Sequence, residues 1–232
     1  MEEICVIFIE QLHDRIFHDP EWREWDKIVG NYTVEEDIKF GCDHGKQHWL
    51  DVARIAADFV RRAGGNAREI ALADTAGMLH DCGMICGEDN HAENGARIIR
   101  PYLKARFGNK RPLSDVDIGI ICHAIAQHSD CSEINNLVDA ALMFADKIDL
   151  GKHRIHGIAH NNIQFCENQI DHIDFKITAN ALAINYVADP DFDFHFFLTH
   201  WPKSYEVPQK VAAYLGKSFA LFVNNKRITL PQ

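Results

Sequence analysis

The sequence predicts an all-α helical core with a small C-terminal β-hairpin or sheet and a terminal helix. Apolar residues recur at helical spacing up to about residue 150, then alternate strictly after about residue 160, and most joins between periodic segments are short. At 232 residues, 47% hydrophobic and 25% charged, the chain has apolar material for one full core. The expectation is a single domain over 1–232, with the helical core at about 40–155 and the β-rich addition, at about 160–232, packed on it.

Each element has its own justification. An opening helix over Glu2 to Phe17 carries Ile4, Ile7, Phe8 and Leu12 at helical spacing. A polar, aromatic stretch punctuated by Pro20, Gly30 and Gly41 reads as a connection. The next helix starts near Asp43, a residue suited to an N-cap, and stops at Gly64-Gly65. Further helices run from about Ala67 to Asp81, His91 to Arg106, Ser114 to His128 and Ile134 to Leu150. Ile173, Phe175 and Ile177 then alternate with polar residues, and Ala181 to Val187 is rich in strand formers. Asp189-Pro190-Asp191 reads as a turn, after which Phe192, Phe194 and Phe196 alternate again. A final helix is expected from about Ser204 to Val223, ending at Asn224-Asn225.

Composition excludes several classes of function. A formal net charge of -10 argues against nucleic acid as a bulk partner. It also means that an anionic substrate needs local cations or metal ions to offset repulsion. Seven cysteines at spacings that match no zinc ribbon read as reduced thiols, mostly core. The acidic N-terminus carries too short an apolar run for a signal peptide, and no stretch approaches the roughly 18 apolar residues of a membrane span. A cytoplasmic protein is expected, with no membrane partner; homo-oligomerisation is left open.

The chemistry concentrates on His80 and Asp81. Adjacent His and Asp offer an imidazole nitrogen and a carboxylate to one point, which suits a divalent metal. Such a dipeptide acquires meaning only if other ligands converge on it, and helical phase supplies them. Val52, Ile55, Ala56, Phe59 and Val60 form an apolar stripe, and His48 extends it by one turn. His80 completes the stripe of Leu72, Ala76 and Leu79, while His91 begins one through Gly95, Ile98 and Ile99. His128 follows Ile121 and Ile125 at helical spacing, as Asp146 follows Leu142 and Met143.

Any one such His is usually a hydrogen-bonded core residue, and any one such Asp a cap or ion-pair partner. An unpartnered buried imidazole or carboxylate costs several kcal/mol or changes protonation, and convergence on a metal would resolve that cost for all of them together. His123 sits about 140° round its helix from His128, which sets it apart. Cys82 and Cys86 read as core thiols rather than ligands.

Taken in order, these residues resemble the HD superfamily of metal-dependent phosphohydrolases, whose pattern is H…HD…D with extra His residues in dinuclear members. His48 to Ala53 (HWLDVA), Leu79 to Gly83 (LHDCG) and Phe144 to Ile148 (FADKI) carry the resemblance, which covers about residues 40 to 155. The segments HAENGA from His91 and AIAQHS ending at Ser129 are similar to the middle His segments of bacterial HD hydrolases that cleave diadenosine tetraphosphate. The stretch between His91 and His128 is longer here, and the β-rich region has no counterpart, so the exact substrate does not transfer.

The resemblance implies that His48, His80, Asp81 and Asp146 hold one metal. His91 and His128 would then help hold a second, with Asp81 bridging. Mixed His and carboxylate ligation suits iron, manganese or zinc. The implied reaction is hydrolysis of a phosphate ester or phosphoanhydride of a small phosphorylated metabolite, a nucleotide being the foremost candidate, by a metal-activated water. Lys147, Lys152 and Arg154 are candidate cations for the phosphate, Lys152 and Arg154 as substrate contacts, and His123 a candidate proton donor to the leaving oxygen. For Lys147 and Lys152 a basic helix C-terminus complementing its dipole is an equally good account. Two other functions fit the same residues: a di-iron HD-type oxygenase, and a metal-containing binding module without turnover.

Overall fold

The structure, a computed structural model, describes residues 12–40, 44–108, 113–155 and 162–230. The chain divides into two compact units, one of residues 1–32 and 44–146 and the other of residues 33–43 and 147–232.

The first unit holds most of the helices. A short helical segment, 12–17, carries the buried Leu12 and Ile16; the rest of the expected opening helix lies outside the described residues. The stretch read as a connection is instead a helix, α1 (Pro20–Phe40), which begins in this unit. Its start is built by Asp19, whose carboxylate accepts from the backbone N–H of Glu21 and Trp22, and by Pro20, whose missing N–H is harmless at a first helical position. Trp22, Trp25 and Val29 bury one face, and the Trp22 indole donates to the Met78 carbonyl at 2.9 Å. Gly30 faces open space, so it interrupts nothing.

Four more helices carry the expected apolar stripes. They are α2 (Lys46–Arg62), α3 (Ala67–Leu79), α4 (His91–Leu103) and α5 (Asp115–Gln127), with α6 (Leu137–Ile148) beginning in this unit. Asp43, expected as the cap of α2, lies outside the described residues, and Gly45 occupies the cap position. Reciprocal capping boxes start α3, between Asn66 and Glu69, and α5, between Ser114 and Asp117. Gly64, at φ +86°, lets the chain leave α2 in the left-handed region. Helices α2 and α3 pack on each other, as do α4 and α5, and Phe59 meets Phe144 with ring centroids 4.7 Å apart.

Two departures from regular helix flank the His80-Asp81 pair and α4. Helix α3 stops at Leu79, and Cys82–Cys86 forms a 3-10 turn. Helix α4 continues through a π turn, Lys104–Gly108.

The second unit is built around a four-stranded sheet in the order β1-β2-β3-β4. Strands β1 (Ile170–Ile177) and β2 (Ala181–Ala188) are the expected hairpin, antiparallel, with Phe175 opposite Ile184. A short helix α7 (Asn162–Glu167) precedes them. Two expectations fail here. The Phe192, Phe194, Phe196 alternation is not a strand, because Asp193 caps a helix, α8 (Phe194–His200), that buries Phe194, Phe197 and Leu198. The final helix, α9 (Lys203–Tyr214), stops before Gly216, at φ +67°, and residues Ser218–Val223 form β3, parallel to β2. Asn224 and Asn225, read as a helix end, both have positive φ and turn β3 into β4 (Lys226–Ile228). Tyr186 centres the core of this unit among Phe194 and Phe197, its hydroxyl donating to the Ser204 carbonyl.

Among the described residues no helix is long and apolar enough to cross a membrane. Cys82, Cys86, Cys122, Cys131 and Cys166 are free thiols, all buried except Cys86.

Candidate metal centre

The first unit gathers His48, His80, Asp81, His91, His128 and Asp146 in one place. Each comes from near a helix end. His48 lies in the first turn of α2, His91 opens α4, His80 caps the end of α3, His128 caps the end of α5 and Asp146 lies in the last turn of α6. Asp81 sits where α3 gives way to the 3-10 turn, at φ -96° and ψ 6°. That break, rather than continuation of the helix, lets two adjacent side chains serve one centre.

The Asp81 carboxylate organises the cluster. Its Oδ2 lies 3.3 Å from His80 Nε2 and 3.6 Å from His48 Nε2. Its Oδ1 lies 3.3 Å from His128 Nε2 and 3.6 Å from His91 Nε2. The Nε2 atoms of His48 and His80 are 3.1 Å apart, as those of His91 and His128 are at 3.2 Å. Asp146 Oδ1 joins the first pair, 3.4 Å from His48 and 3.7 Å from His80. Each oxygen of Asp81 therefore faces its own pair of imidazoles.

Hydrogen bonds behind the rings fix which nitrogen faces inward. His80 Nδ1 is 2.8 Å from the Gly77 carbonyl, His91 Nδ1 2.9 Å from that of Glu88 and His128 Nδ1 2.7 Å from that of Ile125. A carbonyl only accepts, so each Nδ1 carries a proton and each Nε2 is the nitrogen turned into the cluster, free to offer its lone pair to a metal. Imidazole nitrogens aimed at each other and at carboxylate oxygens in a buried space are held together by a shared positive charge, a proton on His80 or a metal ion that replaces it. The residues present thus fit a divalent metal, with nitrogen and oxygen donors of the kind iron, manganese and zinc accept.

The electrostatics agree with that fit. Burial works against charge on His80, but the Asp81 and Asp146 carboxylates outweigh it and carry the imidazolium up to about 10. Burial also works against charge on Asp81, yet the neighbouring imidazoles, His80 first, hold it well below the usual carboxylate range. His128 shifts the other way, chiefly through burial.

Glycines bring the elements this close. A Cβ on Gly77 would fall 2.4 Å from Ala53 Cα, so α2 and α3 touch backbone to backbone one turn before His80. A Cβ on Gly83 would fall 1.9 Å from the His91 carbonyl oxygen and 2.4 Å from Gly95 N, so the 3-10 turn and α4 touch in the same way.

Sequence reasoning missed one member of the cluster. His44 Nδ1 lies 2.9 Å from Asp81 Oδ2, and His44, His48 and Asp81 form a group able to hold a metal. Its signal was the four-residue spacing to His48, a metal-like spacing hidden because His44 precedes the helix. His123 stands elsewhere, bonded through Nδ1 to the buried Asp139 at 3.0 Å and through Nε2 to the Asn135 amide at 3.0 Å. Cys82 also turns away, its thiol toward the Gly95 carbonyl. Lys147, Lys152 and Arg154 belong to the second unit, where the exposed Lys152 pairs with Asp171 and the buried Arg154 donates to the Asp149 carbonyl.

The family model of the HD domain matches residues 45–151. A solved structure, described as a predicted HD superfamily hydrolase from an uncultured Thermotogales bacterium, is similar with a TM-score of 0.41 and 22% identity, over 60% of this chain and 75% of that one. No curated protein matches.

Proposed function

We propose that this chain, which belongs to the HD domain family through residues 45–151, is a metal-dependent hydrolase that cleaves a phosphate ester or phosphoanhydride of a small metabolite, a nucleotide in the first instance. The observation that carries the reading is the Asp81 carboxylate, with each oxygen set against its own pair of imidazoles. His48, His80, Asp146 and Asp81 Oδ2 would hold one divalent ion, and His91, His128 and Asp81 Oδ1 a second. Bound there, the two ions would lower the pKa of an attacking water and polarise the phosphoryl oxygens.

The chain's own residues do the rest. Asp81 stays ionised because the surrounding imidazoles favour its charged form. The carbonyls of Gly77, Glu88 and Ile125 hold the imidazoles in one tautomer and orientation, so the site needs no rearrangement when substrate arrives. On a chain of net charge -10, two bound cations would also account for how an anionic substrate is attracted. In this reading Lys147, Lys152 and Arg154 are the candidate cations for the phosphate charge, and His123 is the candidate proton donor to the leaving oxygen once its Nε2, which accepts from the Asn135 amide, has taken up a proton. Lys152 is the weakest of these, since its ammonium is already matched to Asp171.

The test is metal analysis of protein purified without chelators, followed by a screen of phosphate esters and nucleotides with manganese and with iron. Two metals per chain with phosphate release is expected. Two irons with oxygen consumption and no phosphate release would replace the hydrolase by an oxygenase. One metal or none without turnover would leave a binding module. Within an active enzyme, an Arg154→Ala variant with undiminished activity would remove Arg154 from the phosphate contacts.

A further inference from the structure

His44 differs from the rest of the cluster. His48, His80, Asp81 and His128 are buried, whereas the His44 side chain is 36% exposed and that of His91 17%. His44 therefore stands at the mouth of the site. It still makes the shortest contact to Asp81, 2.9 Å from Nδ1 to Oδ2, against 3.3 Å or more for His80, His48, His128 and His91. Its ring also stands edge-on to His48, with centroids 5.7 Å apart.

The tautomers assign these contacts different meanings. His80, His91 and His128 have Nδ1 occupied by backbone carbonyls, so once metals are bound their Nε2 atoms carry lone pairs and cannot donate to Asp81. His44 approaches through Nδ1 instead. Its N–H can bond one lone pair of Oδ2 while the other faces the His48 and His80 side.

We infer that His44 is a positioning residue for the metal centre: its Nδ1–H fixes the Oδ2 of Asp81 and so sets the angle at which that carboxylate spans the two imidazole pairs. This rests on the metal-site reading of Asp81. With Nδ1 committed to Asp81, Nε2 is the nitrogen presented to an incoming group at the mouth.

The test compares wild type, His44→Ala and His44→Asn. Asn is chosen because its side-chain N–H falls near the position of Nδ1. Affinity and stoichiometry for Mn²⁺ and Zn²⁺ are measured by competition with a chromophoric chelator, alongside thermal melts of the metal-free proteins. His44→Ala should keep both equivalents while affinity falls about 10–100-fold, the usual cost of removing a group that orients a ligand, and His44→Asn should recover most of it. Unchanged affinity in a folded His44→Ala overturns the inference and leaves the metal site standing. Loss of a whole equivalent in both variants overturns it by making His44 a direct ligand. A wild type that binds no metal removes the metal reading itself, and the inference with it.

Discussion

Replacing Gly83 by Ala tests how the fold holds His91 in place. The new methyl would lie 1.9 Å from the His91 carbonyl oxygen, 2.4 Å from Gly95 N and 2.9 Å from Gly95 Cα, all backbone atoms of α4. Backbone cannot rotate aside as a side chain can. To reach an ordinary contact of 3.4 Å, the start of α4 must withdraw by about 1.5 Å. Overpacking of this kind costs about 1–3 kcal/mol, and a rigid backbone contact belongs at the upper end. For a chain of this size that lowers the melting temperature by roughly 6–12 °C. The functional effect is sharper, because His91 Nε2 stands only 3.2 Å from His128 Nε2 and 3.6 Å from Asp81 Oδ1, and sites of this kind tolerate about 0.5 Å of misplacement. Calorimetry of the metal-free protein should show the lower melting temperature. Metal titration should show that the second equivalent is lost or bound at least 10-fold more weakly, while the first is retained. A variant that melts with the wild type and binds both equivalents normally would refute the argument that this contact positions the second site.

Other consequences can be checked separately. The two halves of the site are unequal, with His48, His80, Asp146 and Asp81 Oδ2 on one side and only His91, His128 and Asp81 Oδ1 on the other. Metal should therefore bind in two steps, and His91→Ala or His128→Ala should abolish only the weaker, as read by calorimetric titration. In the metal-free protein His80 is raised from 6.5 to about 10, so its protonated form contributes stability that is full below pH 6.5 and is lost as pH rises through about 10. A metal must displace that proton, so binding at neutral pH should release about one proton, and affinity should rise with pH up to about 10. Titration in buffers of different ionisation heat reads this, and binding without proton release contradicts it. Trp22→Phe removes the donor to the buried Met78 carbonyl and should cost about 1–3 kcal/mol in denaturant melts.

Much of the candidate site could be read from the sequence because helical phase is a geometric constraint. His48, His91 and Asp146 each extend an apolar stripe by one turn or begin one, so packing the stripes brings their ends together. His123, out of phase with His128, is found in a different hydrogen-bond cluster, with Asp139. What escaped was set by local detail or by long-range pairing. Helix α1 was missed because Pro20 and Gly30 read as breakers, although Pro20 stands at a helix start and a side chain at Gly30 would point into open space. The Phe192 to Phe196 alternation is too short to outweigh a single capping carboxylate at Asp193. Strand β3 was absorbed into the preceding helix because its parallel pairing with β2 depends on residues more than thirty positions away. His44 and the contact at Gly83 depend on how separate elements meet, which no single periodicity reports.

The central proposal is that Asp81 would join two metal ions, one on each oxygen. Electron paramagnetic resonance of the protein loaded with Mn²⁺ tests this most directly, because two manganese ions sharing a carboxylate couple their spins. The account predicts a coupled spectrum at full loading that collapses to the hyperfine pattern of isolated Mn²⁺ in His128→Ala. An isolated-ion spectrum from the wild type at every loading would contradict it.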